Sequence, residues 1–264
     1  YMGLSSKTNV DFIEFHLSYK DLEEDISALF DKVQDIGFAV HSPELFFGDH
    51  ILNLCSNDLK YLNHSINELQ NVVNITRTLK PYFPNTKRPV IVTNVGGFSN
   101  DGFLPKEKRI EMYEKISNSL DKIDSENVEI IIQTMPPFPW HFGGQGFHNL
   151  FVNPNEIAAF CEKTGYRICL DISHSQMACS FYKWSLEDFI KKVGKYVAHL
   201  HIVDSLGVDG EGVQIGEGDV DFTKLGGILD KLLPNVQFIP EIWQGHKQQG
   251  AGFWLGLDFL EDYL

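Results

Sequence analysis

The sequence is short of basic residues, of cysteine pairs and of long apolar runs. Its 264 residues carry 22 Lys and Arg against 36 Asp and Glu, a formal net charge of −14. Binding to a phosphate backbone needs a basic surface, so no nucleic-acid partner is expected. The four cysteines (Cys55, Cys161, Cys169 and Cys179) form no CxxC pair and no regular framework. Reduced thiols in a cytoplasmic protein are the expectation. No apolar run approaches the roughly 18 residues a membrane-spanning helix needs, so no membrane partner is expected either. No phosphate-binding or dinucleotide loop is present. Gly216-Glu217-Gly218 lacks the further glycine and the helix start that such a loop requires. Two glycosylation sequons, at Asn63 and Asn74, fall inside a helical stretch and read as chance matches.

What is present is alternation. Apolar runs too short for helices alternate with helical patterns, which predicts a parallel sheet. Strands are expected at 11–18, 38–41, 89–94, 128–134, 167–171, 198–203 and 236–242. Helices are expected at 21–36, 57–80, 106–122, 154–164, 185–196, 221–233 and 253–263. Asn153-Pro154 is a plausible cap and first-turn pair, and Ser185 with Asp188 a weaker one. The count is about seven βα units, where a closed (β/α)8 TIM barrel has eight. The chain opens at Tyr1, and the first strand is expected upstream of it. Residues 1–264 then form a single barrel domain, excised from a longer chain or closing with seven strands.

Several of the strands end in groups that carry chemistry. Ile168-Cys169-Leu170 ends at Asp171, Ala198-His199-Leu200 at His201, and Phe238-Ile239-Pro240 at Glu241. In a parallel barrel these positions open into one mouth. Two carboxylates and an imidazole there suit a divalent ion. Gln133 ends the strand one unit earlier. The structural alternative is a set of hydrogen-bonded charges tying strand ends together.

These segments resemble the xylose-isomerase-like barrel superfamily of sugar isomerases and epimerases, dehydratases and apurinic-site endonucleases. Leu170-Asp171-Ile172-Ser173-His174 looks like its LDxxH strand end, and His201-Ile202-Val203-Asp204-Ser205 like its HxxDS element. Residues 215–222 look like its GxGxxDF loop, Pro240-Glu241 like its last strand, and Val40-His41-Ser42-Pro43 like its HxP end. The resemblance implies one divalent ion (Mn, Mg, Co or Zn) on Gln133, Asp171, His201 and Glu241. Gln133 replaces the family's first Glu, which is both ligand and base, so one carboxylate base, Glu241, remains. His174 joins it as a catalytic group that orients a hydroxyl. The endonuclease branch fits worse, because Thr93-Asn94-Val95, Gly210 and Gly212 stand where extra zinc ligands are needed.

The function implied is metal-dependent sugar isomerisation or epimerisation on a keto-sugar, polyol or modified sugar. His41, Asn94, Trp140, His141 and Trp243 are the expected substrate contacts. The aromatic loop 135–150, with Gly143, Gly144 and Gly146, reads as a lid over the sugar or as an oligomer contact. Glu14 and His16 share one strand face and line the pocket or sit as buried polar groups. His199 reads as a core group or one that supports His201, and Glu217 as a loop stabiliser or a group that orients His201. The alternative function is a sugar-binding or partner domain, catalytically reduced and fused to another enzyme domain. Residues 12–18 look like barrels attached to sialic-acid-type synthases. A homo-oligomer is equally open.

Overall fold

The computed structural model describes residues 10–30, 32–141 and 144–264. The chain divides into two compact units. One runs up to Gly97 and resumes over Pro105–Ile132; the other holds Phe98–Leu104 and Gln133–Leu264.

The first unit is built on parallel strands β1 (Phe12–His16), β2 (Gly37–His41), β3 (Val90–Thr93) and the start of β4 (Glu129–Gln133). They pair in sequence order, with His16 beside His41, His41 beside Val92 and Val92 beside Ile131. Strand β2 is buried at every position, as expected for a parallel strand covered on both faces. Helix α1 (Leu59–Leu79) starts at Asp58, whose carboxylate accepts from the Lys60 and Tyr61 amides. Its buried stripe, Leu62, Ile66, Leu69, Val72, Val73 and Leu79, recurs at helical spacing. Phe15, Phe30, Phe38 and Phe83 close the core edge-to-face or tilted. Helix α2 (Lys106–Leu120) completes the unit.

The second unit takes the end of β4 and adds β5 (Ile168–Asp171), β6 (Val197–His201) and β7 (Phe238–Ile239). Asp171 pairs with His201, and His201 with Ile239, so these strand ends stand level. Its helices are α3 (Pro154–Thr164), α4 (Ile172–Tyr182), α5 (Leu186–Val193), α6 (Phe222–Leu232) and α7 (Lys247–Leu260). Asn153 and Ser185 cap α3 and α5 as the sequence predicts. All four cysteines are free and buried. No helix among the described residues is long and apolar enough to cross a membrane.

Four expectations need correction. The helix at 21–36 reduces to a 3-10 turn at Asp21–Glu23 and one turn at Ile26–Leu29. Asp21 draws in the Ser18 amide and hydroxyl instead, a local alternative to helix. The Gln34 amide is drawn away to Tyr82 O. The strand at 236–242 is only two residues long, because Pro240 has no N–H for the ladder. The stretch between the expected strand at 167–171 and the expected helix at 185–196 is not irregular, because the chain enters α4 directly from β5. The last helix begins before 253, with left-handed residues Gln248, Gln249 and Gly250 interrupting its first turn.

One buried imidazole sets a pH dependence for the first unit. His50 Nε2 lies 2.9 Å from Ser65 Oγ, and the ring packs on Tyr61 and His64. Burial, and then the nearby His64, lowers its pKa from 6.5 to about 4. The fold thus prefers the neutral ring. That contribution is complete above pH 6.5 and is lost as pH falls toward 4. Melting temperature should fall across this window, and His50→Gln should flatten that part of the profile; an unchanged slope would refute the assignment.

Candidate active site

The strand ends of the second unit converge on one amide. Gln133 Nε2 lies 3.0 Å from Asp171 Oδ2, 3.1 Å from His201 Nδ1 and 3.4 Å from Glu241 Oε2. His201 Nδ1 is itself 2.6 Å from Glu241 Oε2 and 3.7 Å from Asp171 Oδ2. Gln133, Asp171 and His201 are buried, while the Glu241 side chain is about a quarter exposed. Periodicity explains the convergence: each residue ends, or just follows, a parallel strand.

Asp171 is held from several sides. Its backbone N–H donates to Thr134 Oγ1 at 2.9 Å. Its Oδ1 accepts the His174 amide at 2.8 Å, which caps α4. Its Oδ2 faces Gln133 and His201. Burial pushes the carboxyl above the ordinary range, Glu241 adds to that rise, and His174 and His201 oppose it.

His174 is in the first turn of α4, not in a loop. Its Nδ1 donates to Thr134 O at 2.7 Å, since a carbonyl can only accept. Its Nε2 lies 3.0 Å from Glu211 Oε1. Burial alone would lower its pKa, but Asp171, Glu211 and Glu241 reverse this and raise it to about 10. Glu211 is the residue that sequence reasoning missed. It sits on a hairpin, Asp204–Leu206 with Gly210–Val213, that the sequence shows only as a Gly-rich loop.

That hairpin is tied down at Gly212, whose N–H reaches Ser173 Oγ at 3.3 Å and whose carbonyl accepts the Trp243 amide at 2.8 Å. At φ +69, with Trp243 Cβ 3.1 Å from where a Cβ would stand, only glycine fits without strain. The following loop is organised by Asp204, not by the exposed Glu217. Asp204 is buried, and its carboxylate accepts from the amides of Ser205, Gly216, Gly218 and Val220.

The remaining predicted contacts lie as follows. Trp243 is 76% exposed, and Trp140 63% exposed on the short hairpin of Trp140–His141 with Gly144–Gln145. The side chain of His141 and the residue Gly143 lie outside the described residues. Phe138 and Phe147 of the aromatic loop pack on Phe103, and Phe138 also on Phe181, so these rings form a hydrophobic cluster. His41 and Asn94 belong to the first unit. His41 Nδ1 bonds Ser42 O and its ring stacks on His16, while Asn94 Nδ2 donates to Glu44. Glu14 and His16 pair at 2.8 Å. His199 is buried, edge-to-face with His201.

The profile of the xylose isomerase-like TIM barrel family matches residues 3–263. The chain belongs to that family. Its fold is accordingly the α/β TIM barrel, with seven parallel strands among the described residues. Solved structures agree in fold. A D-tagatose 3-epimerase-like protein is 18% identical, with TM-score 0.67, over 99% of this chain and 91% of that one. A D-psicose 3-epimerase from Clostridium cellulolyticum H10, solved with D-tagatose, is 14% identical with TM-score 0.68, over 100% and 92%. The probable 3-DHS dehydratase AsbF from Bacillus anthracis is 14% identical with TM-score 0.62, over 98% and 91%. No curated protein sequence matches.

The Asp204 arrangement yields a stability test. Asp204→Ala strands four N–H donors, three of them on the loop at 216–220, and should cost on the order of 3 kcal/mol, or roughly 10 °C in Tm for a chain of this size. Asp219→Ala removes one exposed bond to the Gly207 amide and should cost far less. Equal losses would show that the buried carboxylate does not organise the loop.

Proposed function

We propose that the chain is a metal-assisted sugar isomerase or epimerase that moves a proton with a single carboxylate base, Glu241. The observation that carries this reading is the convergence of Asp171, His201 and Glu241 on the Gln133 amide. The donor set fits a divalent ion. Asp171 Oδ2, His201 Nδ1 and Glu241 Oε2 each lie within 3.4 Å of the Gln133 amide nitrogen, and a half-turn of that amide offers its carbonyl oxygen as a neutral fourth donor. Mn, Mg, Co and Zn all suit such mixed oxygen and nitrogen donors. When bound, the ion supplies polarisation of a carbonyl and an adjacent hydroxyl.

The residues do the rest. Glu241, about a quarter exposed, takes the proton from the hydroxyl-bearing carbon next to the carbonyl and returns it to the former carbonyl carbon, while the hydroxyl proton passes to the old carbonyl oxygen. His201 Nδ1 stands 2.6 Å from that carboxylate, which keeps the two donors side by side. Asp171, pinned by the start of α4, holds its position while charge moves. Gln133 cannot accept a proton at working pH. Inversion by two opposed bases is therefore disfavoured, and transfer along one face, as in aldose–ketose exchange, is what this set supports. In the second unit, Trp140 and Trp243 are proposed to contact the sugar. The sugar-epimerase neighbours support a small-sugar substrate. The loss of the family's first carboxylate also favours a second reading, a sugar-binding partner domain of a larger biosynthetic enzyme.

Two measurements test these readings. Purified protein should take up about one Mn²⁺ per chain, and Asp171→Ala with Glu241→Ala should abolish uptake. Keto-sugars in D₂O should then exchange a carbon-bound proton, and Glu241→Gln should slow this by about 100-fold or more. Ion uptake with sugar binding but no exchange would favour the binding domain; no ion at all would sink the mechanism.

Gln133→Glu supplies an independent check. Another carboxylate against Asp171 and Glu241 should lower Tm in EDTA by like-charge repulsion and enlarge the rise on adding Mn²⁺. A variant with the same Mn²⁺ response as the parent would argue against Gln133 as a ligand.

A further inference from the structure

We propose that Glu211, on the hairpin arm Gly210–Val213, reads the substrate: it accepts hydrogen bonds from the uncharged hydroxyl end of a sugar and turns away sugar phosphates. This deepens the sugar reading above and rests on it. Geometry carries the argument. His174 has two ring nitrogens, and both are engaged. Nδ1 is committed to Thr134 O at 2.7 Å, inside the fold. Nε2 faces Glu211 Oε1 at 3.0 Å. His174 is buried, whereas the Glu211 side chain is 46% exposed. A ligand approaching His174 from its Nε2 side therefore meets a carboxylate first. It must bond to Glu211 or displace it.

The arm does not swing freely. Its Gly212 is bonded to Ser173 at the start of α4 and to Trp243, two residues beyond Glu241. Glu211 is thus held between the element that carries Asp171 and His174 and the segment that carries Glu241. Gly210 permits the close turn before it, since a Cβ there would lie 2.5 Å from Leu206 O.

Charge decides what such a group selects. Phosphate esters are recognised by guanidinium, ammonium or clustered backbone N–H groups. Among the described residues, the side-chain partners of the Asp171, His174 and Glu211 side chains are an amide, imidazoles and carboxylates, with no lysine or arginine. The Glu211 carboxylate already faces His174 Nε2 at 3.0 Å, so a phosphate dianion has to displace a like-charged group to reach that ring. Sugar hydroxyls, in contrast, donate to a carboxylate.

The test is calorimetric binding to the Mn²⁺-loaded full chain, with D-tagatose, D-fructose and fructose 6-phosphate as probes. The parent should bind at least one free ketohexose and prefer it to fructose 6-phosphate by tenfold or more. Glu211→Gln should shrink that preference severalfold, and Glu211→Arg should shrink it further or reverse it. Asp209→Asn, an exposed change on the same hairpin, should leave it as in the parent. A parent that binds free sugar, with a preference unmoved in both Glu211 variants, would overturn the role of Glu211 and leave the sugar reading intact. A parent that prefers the phosphate would likewise overturn it. A chain that takes up Mn²⁺ but binds none of the sugars would overturn the sugar reading itself, and this inference with it.

Discussion

The buried carboxylate of Asp171 is the constraint on which the site depends. It ends β5, and its backbone amide is tied to Thr134, the residue after β4. One carboxylate oxygen begins α4 through the His174 amide; the other faces Gln133 and His201. A strand end, a helix start and the reactive cluster are therefore joined through one side chain. None of the three shifts without breaking a buried hydrogen bond, which is costly in the interior. This gives the cluster the rigidity that chemistry at fixed distances requires.

Gln133 changes the chemistry without changing the architecture. An amide at the end of β4 donates to carboxylates that another carboxylate would repel. The cluster then holds together with one negative charge fewer. The same exchange removes a proton acceptor from one side of the site. In the proposed reaction this leaves Glu241 as the one carboxylate base. Selectivity, not a further base, is what the hairpin arm adds through Glu211.

Much of this was legible in the sequence. Asp171, His201 and Glu241 were identifiable because each follows a short apolar run at βα-unit spacing, and the structure brings all three to Gln133. The caps at Asn153 and Ser185 were readable from local chemistry. Helix α4 was not, because Ile172-Ser173-His174-Ser175 is buried and has no polar face to mark a period. Glu211 was not, because a charged residue between two glycines looks like a solvated turn until Gly212 is seen bonded on both sides. The aromatic loop reads in the sequence as a lid or an oligomer contact; that Phe138 and Phe147 meet Phe103 and Phe181, about forty residues away on either side, was not readable there.

The sequence by itself determined the alternation of strands and helices, the family and the residue types at the strand ends. These follow from local periodicity and from side-chain chemistry carried within a few residues. Tertiary structure alone decided which nitrogen of His174 is committed to Thr134, which carboxylate meets the other, and that Asp204 binds the loop at 216–220. Each of these is a hydrogen bond between groups from about a dozen to forty residues apart, and its partner is fixed only when burial removes water as the competing one.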